Sequence, residues 1–95
     1  MPKFHTKVPP LRVRLYVAGN APNSVRAIAS LRAVCDEHFA SGHEIEIVDM
    51  LVKPLEALAD GIIVTPTLLK LSPPAQRMVG NLGNASQLLE MLAAK

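Results

Sequence analysis

The sequence predicts an α/β fold with the element order β-α-β-α-β-β-α. Stretches in which apolar residues alternate every second position are separated by stretches in which they recur every third or fourth position, and glycine or proline marks the boundaries. With 95 residues and 49% hydrophobic content, the chain can bury one modest core. We therefore expect a mixed four-stranded sheet flanked by helices, forming a single domain over residues 11–95 behind a flexible N-terminal segment, residues 1–10.

The first strand and helix are predicted by residues 11–42. Apolar and polar residues alternate over residues 11–18, as in a half-buried strand. Asn20 is expected to cap the helix, and Pro22 suits its first turn, where a missing N–H costs nothing. The apolar stripe expected to face the sheet comprises Val25, Ile28, Leu31, Cys35 and Phe39. Gly42 is expected to end this segment.

A second strand and a short helix follow. Acidic residues alternate with isoleucines over residues 43–50, which predicts a strand at a sheet edge, where charges discourage unwanted pairing. A right-handed crossover makes this strand parallel to the first. Residues 54–60 carry Leu55 and Leu58 in a helical pattern that Gly61 stops. So short a helix requires packing on the sheet.

The last part of the chain predicts a β-hairpin and a final helix. Residues 67–71 and 76–80 are short strand candidates, and the prolines between them fix a turn. Asn84 is followed three residues later by Gln87, the spacing of a capping box, and an apolar helical face comes next. Together with the parallel first half, this hairpin completes the element order of a thioredoxin-like fold.

Pro66 occupies a position that is typical of thioredoxin-like proteins. It follows an apolar run and opens the third predicted strand, where proline is tolerated only at a bend. This placement resembles the cis-proline of that fold, so Pro66 is a structural cis-proline candidate. An ordinary trans-proline turn is the alternative.

Thiol chemistry is not expected of this chain. A thioredoxin-type enzyme carries a cysteine at the start of its first helix, where the helix N-terminus stabilises the thiolate. Here residues 19–24 contain no sulfur. The lone cysteine, Cys35, lies on the apolar stripe, where burial raises a thiol pKa. We therefore predict no catalytic residue, although a thiol redox enzyme using Cys35 stays open as an alternative.

Other ligand classes find little support in the composition. The histidines lack the spacing of a metal site, and no cofactor motif is present, so neither metal nor cofactor is expected. A net charge of +2 with 3% aromatic residues does not favour nucleic acid. No apolar run is long enough for a membrane span, and the single cysteine suits a reducing compartment, so a cytoplasmic location is expected.

Several strings resemble the KaiB family of circadian clock proteins. Residues 15–20 (LYVAGN) and residues 22–27 (PNSVRA) carry the most specific part of the resemblance. It continues through residues 48–49, residues 65–68 and residues 73–74, and so extends from the first strand nearly to the final helix. The resemblance implies a non-enzymatic protein that binds a KaiC-like ATPase and modulates its phosphorylation cycle.

The resemblance also implies a second possible architecture and several partner-binding residues. Family members switch between the thioredoxin-like state and a tetrameric ground state with a rearranged C-terminal half. The resemblance therefore implies the ground-state fold as the alternative architecture. It also implies that the chain can associate with copies of itself, as a dimer or a tetramer. The residues expected to bind partners are Asn20, Pro22, Asn23, Glu44, Glu46, Val48 and Asp49.

The acidic edge strand departs from the family pattern. Family members place a small residue and a lysine where this chain has Glu44 and Glu46. This charge reversal opposes docking of a KaiA-type strand, so KaiA binding is not expected. Two alternatives remain on this reading: a thioredoxin-like protein of the stress response, and an adaptor resembling the N-terminal module of the clock-linked histidine kinase.

Overall fold

The structure is a computed structural model that describes residues 10–80 and 82–94. Its elements are β1 Leu11–Val17, α1 Pro22–His38, β2 His43–Asp49, α2 Pro54–Ala59, β3 Thr67–Lys70, β4 Gln76–Val79 and α3 Ala85–Leu92. Every predicted element is therefore present and in the predicted order. The predicted flexible segment, residues 1–10, lies outside the described residues except for Pro10.

The sheet is mixed, and its strand order is β2-β1-β3-β4. β1 and β2 are parallel, with Val13 opposite Ile45, whereas β1 with β3 and β3 with β4 are antiparallel. The prediction that β2 lies at an edge is confirmed. This is the predicted thioredoxin-like architecture, and the described residues do not adopt the alternative with a rearranged C-terminal half.

The main core lies on the face of the sheet that α1 and α3 cover, here called the inner face. Alternate residues of β1 point into it, because successive strand side chains point to opposite faces. The buried members of this core are Leu11, Val13, Leu15, Val17, Ala27, Leu31, Val34, Cys35, Leu68, Leu82, Leu88 and Leu92. Each large side chain buried there contributes about 1.5–3 kcal/mol relative to exposure.

The buried side of α1 differs from the predicted stripe. Val25 is 52% exposed, and α1 instead buries Ser24, Ala27, Leu31, Val34 and Cys35. Ser24 accepts a hydrogen bond from the Ala18 N–H (3.1 Å), which holds this side of the helix against the end of β1. The expectation that Asn20 caps the helix is also wrong, because the N-cap residue is Ala21 and its side chain makes no capping hydrogen bond.

A smaller core lies on the opposite face of the sheet, here called the outer face. Tyr16, Val48, Ala57 and Ile62 are its buried members. Ala57 is the buried residue of α2, so the short helix contacts the sheet through a single small side chain. The outer face therefore has a core at the end that α2 covers, and charged residues of β1 and β2 occupy the rest of those strands.

Both ends of α3 are held by polar groups. The Asn84 side chain accepts a hydrogen bond from the Gln87 N–H (3.0 Å), which confirms the predicted cap. At the other end, the ammonium of Lys70 donates to the carbonyl oxygen of Ala94 (3.0 Å), although Lys70 is only 4% exposed. A cation is favourable there because the last carbonyls of a helix carry partial negative charge.

Candidate protein-binding surface

The start of α1 lies beside the Thr65–Pro66 peptide bond, which is cis. Between them is a cavity of about 270 Å³. Its lining residues are Asn23, Arg26, Thr65, Pro66, Gly80, Leu82 and Gly83. The cavity occupies the position where a redox relative would carry its reactive cysteine, and none of the lining residues carries sulfur. Arg26 donates to the side-chain oxygen of Asn23 (2.7 Å), so the two side chains that α1 contributes to the cavity lining are paired with each other.

Cys35 lies far from that cavity, in the main core. It is fully buried, and burial raises the pKa of its thiol to about 11. Only the thiolate is nucleophilic, so this pKa suppresses reactivity at neutral pH. The prediction of a buried cysteine is confirmed.

We expect Cys35 to react slowly with iodoacetamide in the native protein and rapidly in urea. Burial excludes the reagent, and a pKa of about 11 leaves on the order of one thiol in ten thousand ionised at pH 7. A time course of alkylation, followed by mass spectrometry, measures both rates. Equal rates for native and unfolded protein would contradict the burial of this thiol.

The largest exposed hydrophobic side chains lie in the stretch that runs from the end of β2 through α2 towards β3. We call residues 51–64 the exposed apolar segment. Its exposed members are Leu51 (71%), Val52 (71%), Leu55 (78%), Leu58 (74%), Ile63 (89%) and Val64 (49%). Such a concentration of exposed apolar side chains marks an interaction surface more often than a solvated one.

Within this segment, α2 presents two leucines to solvent. Leu55 and Leu58 are three residues apart and therefore lie on one side of the helix, while Ala57 faces the sheet. Leu55 also lines an open apolar depression of about 320 Å³ with Val52 and Pro54. The short helix packs on the sheet as expected, but it does so through Ala57, and the two leucines of its helical pattern face solvent.

Asp49 connects the exposed apolar segment to the turn before α1. Its carboxylate accepts hydrogen bonds from the N–H groups of Gly19 (3.1 Å) and Leu51 (2.9 Å). Gly19 has a φ of +55°, and a Cβ at this position would lie 3.4 Å from the Leu51 side chain. Asp49, predicted to bind partners, is therefore occupied in holding two backbone segments together.

The other residues predicted to bind partners fall into exposed and buried groups. Asn20, Pro22 and Asn23 are exposed at the start of α1. Val48 is only 3% exposed and packs beneath α2, so its side chain does not lie on a binding surface in this fold. Val48 points to the same face of β2 as Glu44 and Glu46, but it lies at the end of the strand that α2 covers and is therefore buried.

The acidic side chains of β2 are paired with arginines of β1. The parallel register sets Arg12 opposite Glu44 and Arg14 opposite Glu46. The arginine Nε atoms lie 3.2 Å and 2.7 Å from the glutamate oxygens, respectively. Glu44 and Glu46 are exposed as predicted, and their charge is partly neutralised by this ladder.

Asp60, immediately after α2, is the centre of a polar cluster on the outer face. Its carboxylate oxygen Oδ2 lies 2.6 Å from the Tyr16 hydroxyl and 3.0 Å from Nη1 of Arg14. The Tyr16 hydroxyl is also 3.1 Å from the carbonyl oxygen of Glu56. Arg77 of β4 donates to the carbonyl oxygens of Asp60 (2.7 Å) and Gly61 (3.2 Å). We call Asp60, Tyr16, Arg14 and Arg77 the Asp60 cluster.

Within the cluster, the pKa values of Tyr16, Asp60 and Arg14 are shifted in consistent directions. Burial and the hydrogen bond to Asp60 raise the pKa of Tyr16 to about 12. The hydrogen bond from Tyr16, with that from Arg14, lowers the pKa of Asp60. Hydrogen bonds to Glu46 and Asp60 raise the pKa of Arg14. The folded state therefore favours a neutral phenol beside an ionised carboxylate.

We expect the protein to lose stability between about pH 10 and pH 12 through Tyr16. The folded state keeps the phenolic proton up to a pKa of about 12, whereas the unfolded chain releases it near 10. The unfolded state is thus favoured as pH rises through this window, by as much as about 2–3 kcal/mol. Urea unfolding across the window, compared with Tyr16→Phe, measures the effect. A Tyr16→Phe variant with the same pH dependence as the parent would contradict it.

Within residues 10–80 and 82–94, no three His, Cys, Asp or Glu side chains are grouped so that they could hold a metal ion. None of the helices described above is long and apolar enough to cross a membrane.

Comparison with known proteins gives concordant results. The family model for the KaiB domain matches residues 14–94. The circadian clock oscillator protein KaiB of Prochlorococcus marinus is 42% identical over 78 residues, which cover 81% of this chain and 66% of that protein. The circadian clock protein KaiB3 of Synechocystis is 41% identical over the same length and is covered to 76%.

A solved structure resembles the whole arrangement. The N-terminal domain of Synechococcus elongatus SasA superposes with a TM-score of 0.76 at 20% identity. The match covers 97% of this chain and 88% of that domain. At this identity the likeness speaks for the fold alone.

Proposed function

This chain belongs to the KaiB family, and on that premise we propose that it is a non-enzymatic clock protein that binds a KaiC-type ATPase and modulates its phosphorylation cycle. The names of its relatives, which are circadian clock proteins, support a clock role. Binding through a surface, with the chain contributing no catalytic group, is consistent with the protonated, buried Cys35.

The exposed apolar segment is the observation that carries this proposal. Six large aliphatic side chains between residues 51 and 64 have exposed fractions of 49–89%. A partner that covers these side chains removes their apolar area from water, which favours binding by about 25 cal/mol for each Å² buried. Asn20 and Pro22, predicted from the resemblance, follow Gly19, whose N–H shares the Asp49 carboxylate with the N–H of Leu51 in this segment.

The edge strand β2 is a poor site for a KaiA-type partner in this proposal. A strand added to an exposed edge must tolerate the side chains it meets there. Glu44 and Glu46 already pair with arginines of β1, so an incoming basic strand would compete for these carboxylates and an acidic one would be repelled. KaiC-type binding without KaiA-type binding is the combination that we propose.

Titration of the full chain against the KaiC-type ATPase of its own organism tests the proposal. We expect a saturable complex by calorimetry in the presence of ATP or ADP, and a changed rate of ATPase phosphorylation or dephosphorylation when the chain is added. The control is the same titration with a KaiA-type protein, for which no complex is expected. Absence of binding in both nucleotide states would overturn the proposal.

A further inference from the structure

The short helix α2 needs an anchor beyond its own hydrogen bonds. It spans six residues, and an isolated helix of that length is unstable in water. Its one buried side chain, Ala57, supplies little apolar contact. Of the large side chains in the exposed apolar segment around it, Ile62 packs in the outer-face core, and the six listed above face solvent and add no packing on the sheet.

The Asp60 cluster supplies that anchor from two separate strands. Tyr16 of β1 is fully buried and contacts both the carboxylate of Asp60 and the carbonyl oxygen of Glu56, which is part of α2. Arg77 of β4 binds the backbone immediately after the helix. The end of α2 is therefore held to β1 by the side chain of Tyr16 and to β4 by the side chain of Arg77.

We propose that Asp60, Tyr16 and Arg77 form a latch that fixes α2 and the exposed apolar segment on the outer face of the sheet, and that the latch thereby sets how this segment is presented to a partner protein. The first half of this statement concerns the free protein. The second half rests on the proposed function.

The latch differs from the neighbouring ion pair of the same face. Arg12 and Glu44 are 44% and 59% exposed and join only β1 to β2. In the latch, Asp60 is 28% exposed and Tyr16 is fully buried, and these two residues lie 44 positions apart in the chain. Exposed pairs contribute little, whereas hydrogen bonds to a charged group with a buried partner are stronger. Arg12 with Glu44 is therefore the matched control.

Hydrogen exchange of the free, full-length protein tests the first half. In Tyr16→Phe, which removes only the hydroxyl, we expect the amides of α2 and of residues 60–64 to exchange about tenfold faster or more, while those of β1 and α1 keep their rates. Asp60→Asn should act in the same direction, and Glu44→Gln should leave α2 unchanged. Unchanged α2 exchange in both latch variants, or equal acceleration throughout the chain, would overturn the latch.

The single tyrosine gives a second readout that a general loosening would not reproduce. The chain has one tyrosine and no tryptophan, so its phenolate absorbance reports Tyr16 alone. Charged groups around the hydroxyl are Asp60, Arg14 and Glu56, with Arg77 and Glu46 beyond them. Asp60→Asn should lower the Tyr16 pKa while Glu44→Gln leaves it in place. An unchanged pKa in Asp60→Asn would count against the hydrogen bond on which the latch depends.

Partner titration separates the latch from the proposed function. If the latch variants exchange faster at α2 and bind the KaiC-type ATPase at least about tenfold more weakly, both halves are supported. If they exchange faster but bind as the parent does, control of presentation is overturned. If the parent itself does not bind, the proposed function fails, and with it the second half, while the exchange result still decides the first.

Discussion

Replacing Leu55 and Leu58 together by glutamate is expected to weaken binding of a KaiC-type ATPase by about 100-fold or more. Both leucines are more than 70% exposed on one side of α2, where a partner can cover them. Apolar anchors at the centre of an interface are worth about 2 kcal/mol or more each, and about 1.4 kcal/mol changes affinity tenfold. Isothermal titration of the parent and the double variant measures the loss.

The control for that experiment carries the same charges elsewhere. Ala29 and Ala33 are exposed on α1, which packs on the opposite face of the sheet. Replacing both by glutamate should leave affinity within about twofold, since rim or remote charges contribute little. Neither double variant buries a new charge, so both should unfold in urea close to the parent. Parent-like binding by the leucine variant would remove the exposed apolar segment from the interface.

Leu31→Ala is expected to lower the free energy of unfolding by about 2–5 kcal/mol. Leu31 is 1% exposed in the main core, and its truncation leaves a cavity between α1 and the sheet. Small domains are stable by only about 5–15 kcal/mol, so this loss is a large share of the total. Urea unfolding followed by far-ultraviolet circular dichroism measures the change.

Val25→Ala on the same helix is the matched comparison. Val25 is 52% exposed, so its truncation should change stability by no more than about 0.5–1 kcal/mol. The two variants also decide between two orientations of α1. The predicted apolar stripe places both Val25 and Leu31 against the sheet, whereas in the structure Leu31 is buried and Val25 is exposed. Equal losses for the two variants would favour the predicted stripe.

The order of the elements could be predicted because it depends on local patterns. Over residues 11–15 of β1, arginines alternate with buried aliphatic residues, and the Asn84 cap is set by neighbours three residues apart. The rotation of α1 could not be predicted in the same way. A serine and an alanine are among the residues that face the sheet there, and hydrophobicity alone ranks Val25 above Ser24.

The surface was less predictable than the fold. Leu55 and Leu58 have the same spacing whether they face a core or solvent, and in the structure Ala57 and not the leucines meets Tyr16 and Val48. In the Asp60 cluster, Asp60 meets Tyr16 and Arg14, which precede it in the chain by 44 and 46 positions. The cluster also depends on the register of β1 with β3 and of β3 with β4. No local pattern encodes such a meeting.

The buried ammonium of Lys70 makes the far end of the chain part of the folded unit. Its hydrogen-bond acceptor is the backbone of Ala94, next to the last residue of the sequence. Trimming even two residues would strand a cation in a site with little access to water, whereas a tag appended after Lys95 leaves that acceptor in place. The carbonyl of Ala94 is therefore the last backbone group that an engineered form of this protein must keep.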